Sequence, residues 1–296
     1  MAVALVTGSS TGIGLATALH LARNGYEVYA TMRNPDRGGK DVVAAAAAEG
    51  LPVHVLPLDV DDAGSVSAAV DESVGRSGRI DVLVNNAGIG AGGAIETTSD
   101  EDLKRVFETN FFGALRMVRA VLPAMRERRN GAIVNVTSQG GRVTMEAVGP
   151  YCASKFALEA ASESLAMEVA PFGVRVVIIE PGVILTPIFG KAPPPPPPDS
   201  PYARGARRFA MNIAALLQAP TMPDEVAATI LEAITTPAPR LRYTVGSEAE
   251  SLLRSRAAIT DEEWIAIGNM EDDAEYMARM SGIWGEKLSA RSRATA

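Results

Sequence analysis

Cysteine occurs once and histidine twice in the 296 residues of the chain. A single thiol cannot form an intrachain disulfide, which fits a reducing compartment. Cys152, His20 and His54 show no ligand spacing, so no metal centre of the zinc type is expected. Both histidines read as structural, one in a helix-like pattern and one in a strand-like pattern. With no GxSxG elbow present, Ser-His-Asp hydrolysis is not expected. No run of about 20 apolar residues exists to span a membrane. A strand-like run begins at Ala2, directly after Met1, which leaves no room for a signal peptide; a cytoplasmic location is expected. Positive charge is also short. The net charge of −7 makes a nucleic-acid backbone a poor partner.

What is present is a core. Hydrophobic residues make up 47% of the chain and charged residues 21%, as in soluble globular proteins. Short apolar runs at Ala2–Val6, Glu27–Met32, Val53–Pro57, Val82–Val84, Ala132–Val136, Val174–Glu180 and Leu241–Val245 read as strands buried on both faces. Helical patterns alternate with them at Gly12–Asn24, Asp41–Glu49, Asp62–Ser77, Asp100–Arg128, Tyr151–Phe172 and Pro223–Thr235. The alternation predicts an α/β fold, a doubly wound parallel sheet of the Rossmann type. Two stretches fall outside it. Thr186–Pro220 carries six consecutive prolines, Pro193–Pro198, and is expected to be a surface loop or arm with polyproline II character. Gly246–Ala296 holds both tryptophans, Trp264 and Trp284, and is expected to form packed helices with a frayed end at Ser289–Ala296.

The first strand runs into TGSSTGIG, Thr7 to Gly14. Glycines at 8, 12 and 14 between a strand and a helix let the backbone approach a pyrophosphate at the positive end of the helix dipole. Strand two ends in Met32 and Arg33, where folds that prefer NAD usually carry an acid for the ribose 2′-hydroxyl. An arginine there faces a 2′-phosphate instead, with Ser9, Ser10 and Thr11 as further hydroxyl donors. NADP(H) is therefore favoured and NAD(H) stays open. Asp59, after strand three, is placed to meet an adenine edge. Asn85-Asn86-Ala87-Gly88 follows strand four, at a carboxyl end where open α/β sheets bind ligands; the asparagines would fix the backbone.

Tyr151 and Lys155 are four apart in a helical stretch, hence on one face. A free tyrosine has a pKa near 10. A nearby ammonium and a cationic nicotinamide both favour the phenolate, so the Tyr151 pKa is expected to fall. Ser138, 13 residues before Tyr151, would steady developing charge on a substrate oxygen. Asn110 is placed to bind a water linking Lys155 to solvent. Cys152 reads as a small packing residue.

Taken in order, TGSSTGIG, NNAG, Asn110, Ser138, Tyr151-x-x-x-Lys155 and Pro181-Gly182 through Thr186 resemble the short-chain dehydrogenase/reductases over about residues 2–245. VYATMRN, YCASKFALE and ESLAMEVAPFGV resemble the subgroup that contains 17β-hydroxysteroid and retinol dehydrogenases. The resemblance implies a catalytic set of Asn110, Ser138, Tyr151 and Lys155. It implies cofactor contacts at Gly8, Ser10, Thr11, Gly12, Ile13, Gly14, Arg33, Asp59, Val60, Asn86, Ala87, Gly88, Tyr151, Lys155, Pro181, Gly182, Val183 and Thr186. It also implies homodimers or homotetramers built on the helices around 101–128 and 151–170. Residues 1–245 would then form the NADP(H)-binding catalytic domain, with 186–220 as a substrate lid, and 246–296 a helical extension. The expected reaction moves a hydride between NADP(H) and a lipophilic ketone or secondary alcohol. A binding protein that senses the cofactor, or a dehydratase or epimerase on the same fold, is the alternative. The hexaproline run departs from the family pattern and leaves the substrate open.

Overall fold

A computed structural model describes residues 1–191 and 195–285. Strands β1 (Ala2–Thr7), β2 (Tyr26–Met32), β3 (Val53–Pro57), β4 (Val82–Asn85), β5 (Gly131–Val136), β6 (Val174–Pro181) and β7 (Arg242–Val245) form one sheet in the order β3-β2-β1-β4-β5-β6-β7. All neighbouring pairs are parallel. The helices are α1 (Gly12–Arg23), α2 (Pro35–Gly38), α3 (Lys40–Glu49), α4 (Ala63–Ser77), α5 (Asp100–Phe107), α6 (Ala114–Arg128), α7 (Gly149–Val169), α8 (Ala203–Leu216), α9 (Pro223–Thr235), α10 (Ser247–Ala257), α11 (Asp261–Gly268) and α12 (Asp273–Trp284).

Side chains alternate across a strand, so β1 feeds two cores. Ala4 and Val6 join Val28, Val84, Val134 and Ile179 beneath α1, α3 and α9. Val3 and Leu5 join Leu83, Ile133 and Val176 beneath α4, α6 and α7. A sheet covered on both faces needs apolar residues at every strand position, which is why these strands read as continuous runs. Strand order reverses between β1 and β4, and the crevice at their carboxyl ends is the ordinary ligand position in such folds.

Three departures from the sequence reading stand out. The expected helix Asp100–Arg128 is broken by a π-helical segment, Glu108–Gly113. Here Thr109 Oγ1 donates to Asp61 at 2.8 Å and Asn110 grips the backbone of Ile89. These tertiary bonds sit in the widened turn, where periodicity alone shows nothing.

The second departure is α8, which forms inside the stretch expected to be a loop. Its Arg208, Asn212 and Leu216 make a buried stripe at four-residue spacing. A polar stripe of that kind escapes a search for apolar periodicity. Pro195–Pro198 lie mostly exposed without helix or strand, while Pro193 and Pro194 fall outside the described residues. Third, a short turn of helix, α2, is capped by the Asn34 side chain, which accepts from Arg37 N, with Pro35 at the first position.

The tail does form packed helices. With α8 and the end of β6 it encloses a third apolar cluster that includes Val143, Val183, Leu216, Leu252, Met280 and Trp284. Ser289–Ala296 lies outside the described residues. Among the described residues no helix is long and apolar enough to cross a membrane. No group of three or more metal-ligating side chains is found among them.

Candidate active site

The glycine loop closes against two other segments. Gly8 has φ +69°, and a Cβ there would lie 2.8 Å from Ala87 Cα. Gly12 has φ +59°, and a Cβ would lie 2.9 Å from Thr186 Cγ2. At Gly14 a Cβ would meet the Gly8 carbonyl oxygen at 2.3 Å. Only glycine fits such positions, and together they bring the first, fourth and sixth strand ends to one crevice. Thr11 is the N-cap of α1 but its side chain makes no capping bond. The N–H groups of the first turn are therefore left for a ligand. Ile13 lies half-buried in that first turn. A pyrophosphate fits this cradle by charge and by the absence of side chains.

Thr7 and the asparagines lock the loop. Asn86 Nδ2 donates to the carbonyls of Thr7 at 2.9 Å and Gly8 at 3.2 Å, while Thr7 Oγ1 accepts from the N–H groups of Asn86 and Ala87. Asn85 reaches the other way, to Asn135 Oδ1 at 2.8 Å on β5. Asn86 thus ties down the backbone of the glycine loop, while Asn85 links β4 to β5. Ser9 is not an available donor: its hydroxyl is buried and bonded to Val6 O at 2.8 Å.

At the end of β2, Met32 is 3% exposed and belongs to the core, whereas Arg33 is exposed. The end of β2 therefore carries no acid, and the Met32 side chain belongs to the apolar core. Ser10 lies against Gly38, where a Cβ would come within 2.8 Å of its Cβ. Arg37, one residue earlier on α2, is a second exposed cation that the sequence reading missed. Its signal was the Asn34-Pro35 pair, an N-cap followed by proline at the first helical position. Asp59 is half-buried, and its Oδ1 accepts from Asp61 N at 3.1 Å. Val60 lies buried under Gly113 of the π-helical segment.

The Ser138, Tyr151, Lys155 and Asn110 positions converge. The Ser138 hydroxyl hydrogen-bonds the Tyr151 phenol and accepts from Gly140 N at 3.0 Å. Lys155 is buried, donates to Val136 O at 2.9 Å, and holds its Nζ 5.8 Å from the Tyr151 ring centroid. A Cβ on Gly88 would lie 3.2 Å from Asn110 Oδ1 and 3.7 Å from Lys155 Nζ. Asn110 is fully committed to the protein: Oδ1 accepts from Ile89 N at 2.8 Å, and Nδ2 donates to Ile89 O and Ser154 Oγ, each at 3.0 Å. Its side chain clamps the loop after β4, so the expected water bridge would not run through the amide. On the far side, Pro181 ends β6, Gly182 N donates to Val245 O, and Val183 is buried.

Electrostatics correct one expectation. The Tyr151 phenol is enclosed although the residue keeps some exposed surface, and burial pushes its pKa up to about 12 against the Ser138 hydrogen bond. Burial brings Lys155 down to about 8, opposed by the Glu159 carboxylate. The protein's own groups thus hold the tyrosine protonated, because desolvation outweighs the Ser138 hydrogen bond. Cys152 is buried and its thiol is pushed up by burial, as a packing residue's would be.

The short chain dehydrogenase family model matches residues 2–196. The chain belongs to the short-chain dehydrogenase/reductase family of oxidoreductases. A 3-ketodihydrosphingosine reductase of Bacteroides thetaiotaomicron is 43% identical over 181 residues, which cover 61% of this chain and 63% of that protein. The chain thus matches a little under two thirds of that relative's length. Human 17-beta-hydroxysteroid dehydrogenase type 1 is 38% identical over 265 residues, 86% of this chain and 80% of that protein. Among solved structures, a short-chain dehydrogenase from Streptomyces avermitilis superposes with a TM-score of 0.78 at 37% identity, covering 91% of this chain and 100% of that one. An actinorhodin polyketide ketoreductase with NADPH has a TM-score of 0.71 at 30% identity, covering 82% of this chain and 95% of that one. A Burkholderia phymatum family member in complex with NAD has a TM-score of 0.76 at 25% identity, covering 87% and 93%.

Proposed function

We propose that the chain is an NADP(H)-dependent oxidoreductase acting on a lipophilic ketone or secondary alcohol. The observation that carries this reading is the meeting of Ser138 and Tyr151 at Gly140, where a Cβ would lie 3.4 Å from Ser138 Oγ and from Tyr151 Cε1, beside the buried Lys155, which lies against Gly88 of the loop after β4. The bound dinucleotide supplies or accepts the hydride. Gly8, Gly12, Gly14 and Thr11 would hold its pyrophosphate, Asp59 and Val60 its adenine, and Val183 and Thr186 its nicotinamide side.

In the reducing direction Tyr151 donates its phenolic proton to the substrate oxygen as the carbonyl carbon is reduced. A tyrosine that the protein keeps protonated is suited to this role; an oxidised nicotinamide beside it would favour the phenolate. Ser138 donates a hydrogen bond to the same oxygen. Lys155, brought down to about 8 by burial, returns a proton to Tyr151. Asn110 and Gly88 position the loop that lies over Lys155.

Preference for the 2′-phosphate is supported by the exposed Arg33 and Arg37 and by the lack of an acid at the end of β2. A lipophilic substrate is supported by the third apolar cluster, in which Val143 and Val183 from the site meet Phe189, Ile213, Leu216 and Leu217 of the 186–220 arm. The same packing supports a lid role for the arm, although tail residues fill much of that cluster. Phe112, Phe156 and Met167, 44%, 43% and 70% exposed, support association with a second copy through the helices around 101–128 and 151–170.

A panel of ketones of graded hydrophobicity, assayed with NADPH and with NADH, tests the reading. One dinucleotide should be oxidised for each alcohol formed, with NADPH preferred. Product formed without net oxidation would favour a dehydratase or epimerase, and binding without turnover a cofactor sensor.

A further inference from the structure

The segment 182–186, which leaves β6 beside the site, has no helix or strand of its own, yet it is tied down at several points, among them a bridge of Ile184 to Thr221. Gly182 N donates to Val245 O at 2.9 Å, and Leu185 N donates to Thr221 O at 3.1 Å. Between these, the N–H of Val183 donates not to backbone but to Glu248 Oε1 at 3.2 Å. Glu248 stands in the first turn of α10 and is 1% exposed. The Thr221 hydroxyl donates to the same oxygen at 3.4 Å.

The surroundings are shaped around this carboxyl group. A Cβ on Gly182 or on Gly246 would lie 2.5 Å from Glu248 Oε1. Gly246 also has φ +108°, a conformation side chains rarely adopt. The chain therefore turns sharply out of β7 so that the first turn of α10 delivers a buried carboxyl under the end of β6. Buried polar groups are retained where they hold other polar groups. Here the group held is a backbone N–H only three residues before Thr186, whose Cγ2 abuts Gly12 of the phosphate loop.

We propose that Glu248 is a positioning residue for the dinucleotide: through Val183 N it sets where the 183–186 segment stands against the glycine loop. This rests on the cofactor reading above. It makes the start of the C-terminal helices a working part of the cofactor site. Glu248 touches neither reacting atom; it acts through the backbone it holds.

The test compares Glu248→Ala and Glu248→Gln in the full chain, using NADPH and, separately, adenosine 2′,5′-bisphosphate, which carries only the adenine half. Glu248→Ala should weaken NADPH binding about tenfold or more and leave the adenine half bound within about twofold. Glu248→Gln keeps an acceptor oxygen and should stay within about threefold of wild type for both. Equal loss of both ligands in Glu248→Ala, or unchanged NADPH affinity alongside a lower Tm, would overturn the proposal and leave a purely structural role. A Gln variant as weak as the Ala variant would overturn it too, since the acceptor alone would not suffice. If wild type binds the adenine half but not NADPH, the cofactor reading fails instead.

Discussion

The glycine-loop half of the crevice and the wall made by α8 with the tail are built by opposite means. In the first, backbone meets backbone: Gly8 against Ala87, Gly14 against the Gly8 carbonyl, and Asn86 across both. In the second, side chains reach far along the chain. Arg208 is fully buried, pairs with Asp273 Oδ1 at 2.8 Å, donates to Met270 O at 2.8 Å and lies 4.4 Å from the Tyr276 ring centroid. Arg207 adds a second contact to Asp273 at 2.7 Å. A backbone cradle has little freedom to vary without losing its ligand. A clasp of long side chains can be rebuilt while the cradle stays intact. On the proposed function, the cradle serves the cofactor and the clasp of α8 with α12 lies toward the substrate, while α10, through Glu248, belongs with the cradle.

The largest effect is expected at Tyr151, the proposed proton donor. Tyr151→Phe keeps the shape but removes the proton, and should lower kcat by about 100-fold to 10,000-fold with NADPH affinity unchanged. Retention of a third of wild-type kcat would remove Tyr151 from the chemistry. Next in size is the cradle. Gly14→Ala must displace backbone and should weaken NADPH binding at least tenfold. Gly75→Ala, in open space within α4, should leave binding alone and stabilise the helix by up to about 1 kcal/mol. Calorimetric titration of the two variants checks both.

The clasp comes third. Arg208→Met should lower Tm by about 5 °C or more, since a buried polar network is broken. It should raise KM for bulky ketones and spare the NADPH Kd. A loss of cofactor affinity as large as that of Gly14→Ala would merge the two regions. Fourth is cofactor choice. Arg33→Ala with Arg37→Ala should lower kcat/KM with NADPH by about tenfold, the loss of charge-assisted contacts, and leave NADH nearly unchanged. A Met32→Asp exchange is a poorer test, because Met32 is packed in the core.

These two regions also differ in how far the sequence disclosed them. Every strand was legible to within about two residues, because continuous Val- and Ile-rich runs are what a doubly covered sheet demands. TGSSTGIG and Ser138 stand at strand ends, and Tyr151 and Lys155 stand one turn apart on α7, so local sequence was enough to single them out. The π-helical segment was not, since Thr109 and Asn110 widen the turn only through partners 48 and 21 residues away. Helix α8 was hidden for a related reason: its inward stripe includes Arg208 and Asn212, which become interior residues only once Asp273 and Tyr276 arrive from the tail. The fall in the Tyr151 pKa was expected beside an ammonium and a cationic nicotinamide; in the chain alone, burial, which a sequence does not state, raises it instead.

The smallest effect concerns Lys155. Its folded pKa of about 8 lies below its unfolded value of 10.5. Between these values the unfolded chain binds more protons, so this group's cost is full below pH 8 and is relieved as pH rises toward 10.5. Wild type should therefore gain stability relative to Lys155→Met when pH is raised from about 7 to about 9.5. Urea unfolding at the two pH values checks it, and a constant difference would place the ammonium in a wetter site. Tyr151, held up to about 12, contributes in the opposite sense only above about pH 10.

The central claim is that the site moves a hydride onto a carbonyl carbon. Reduction of the best ketone in the panel with NADPH carrying deuterium at the transferable position tests it most directly. The claim predicts one deuterium on the carbinol carbon of the product and one equivalent of oxidised dinucleotide. Product free of deuterium, or deuterated cofactor recovered unchanged after turnover, would contradict it.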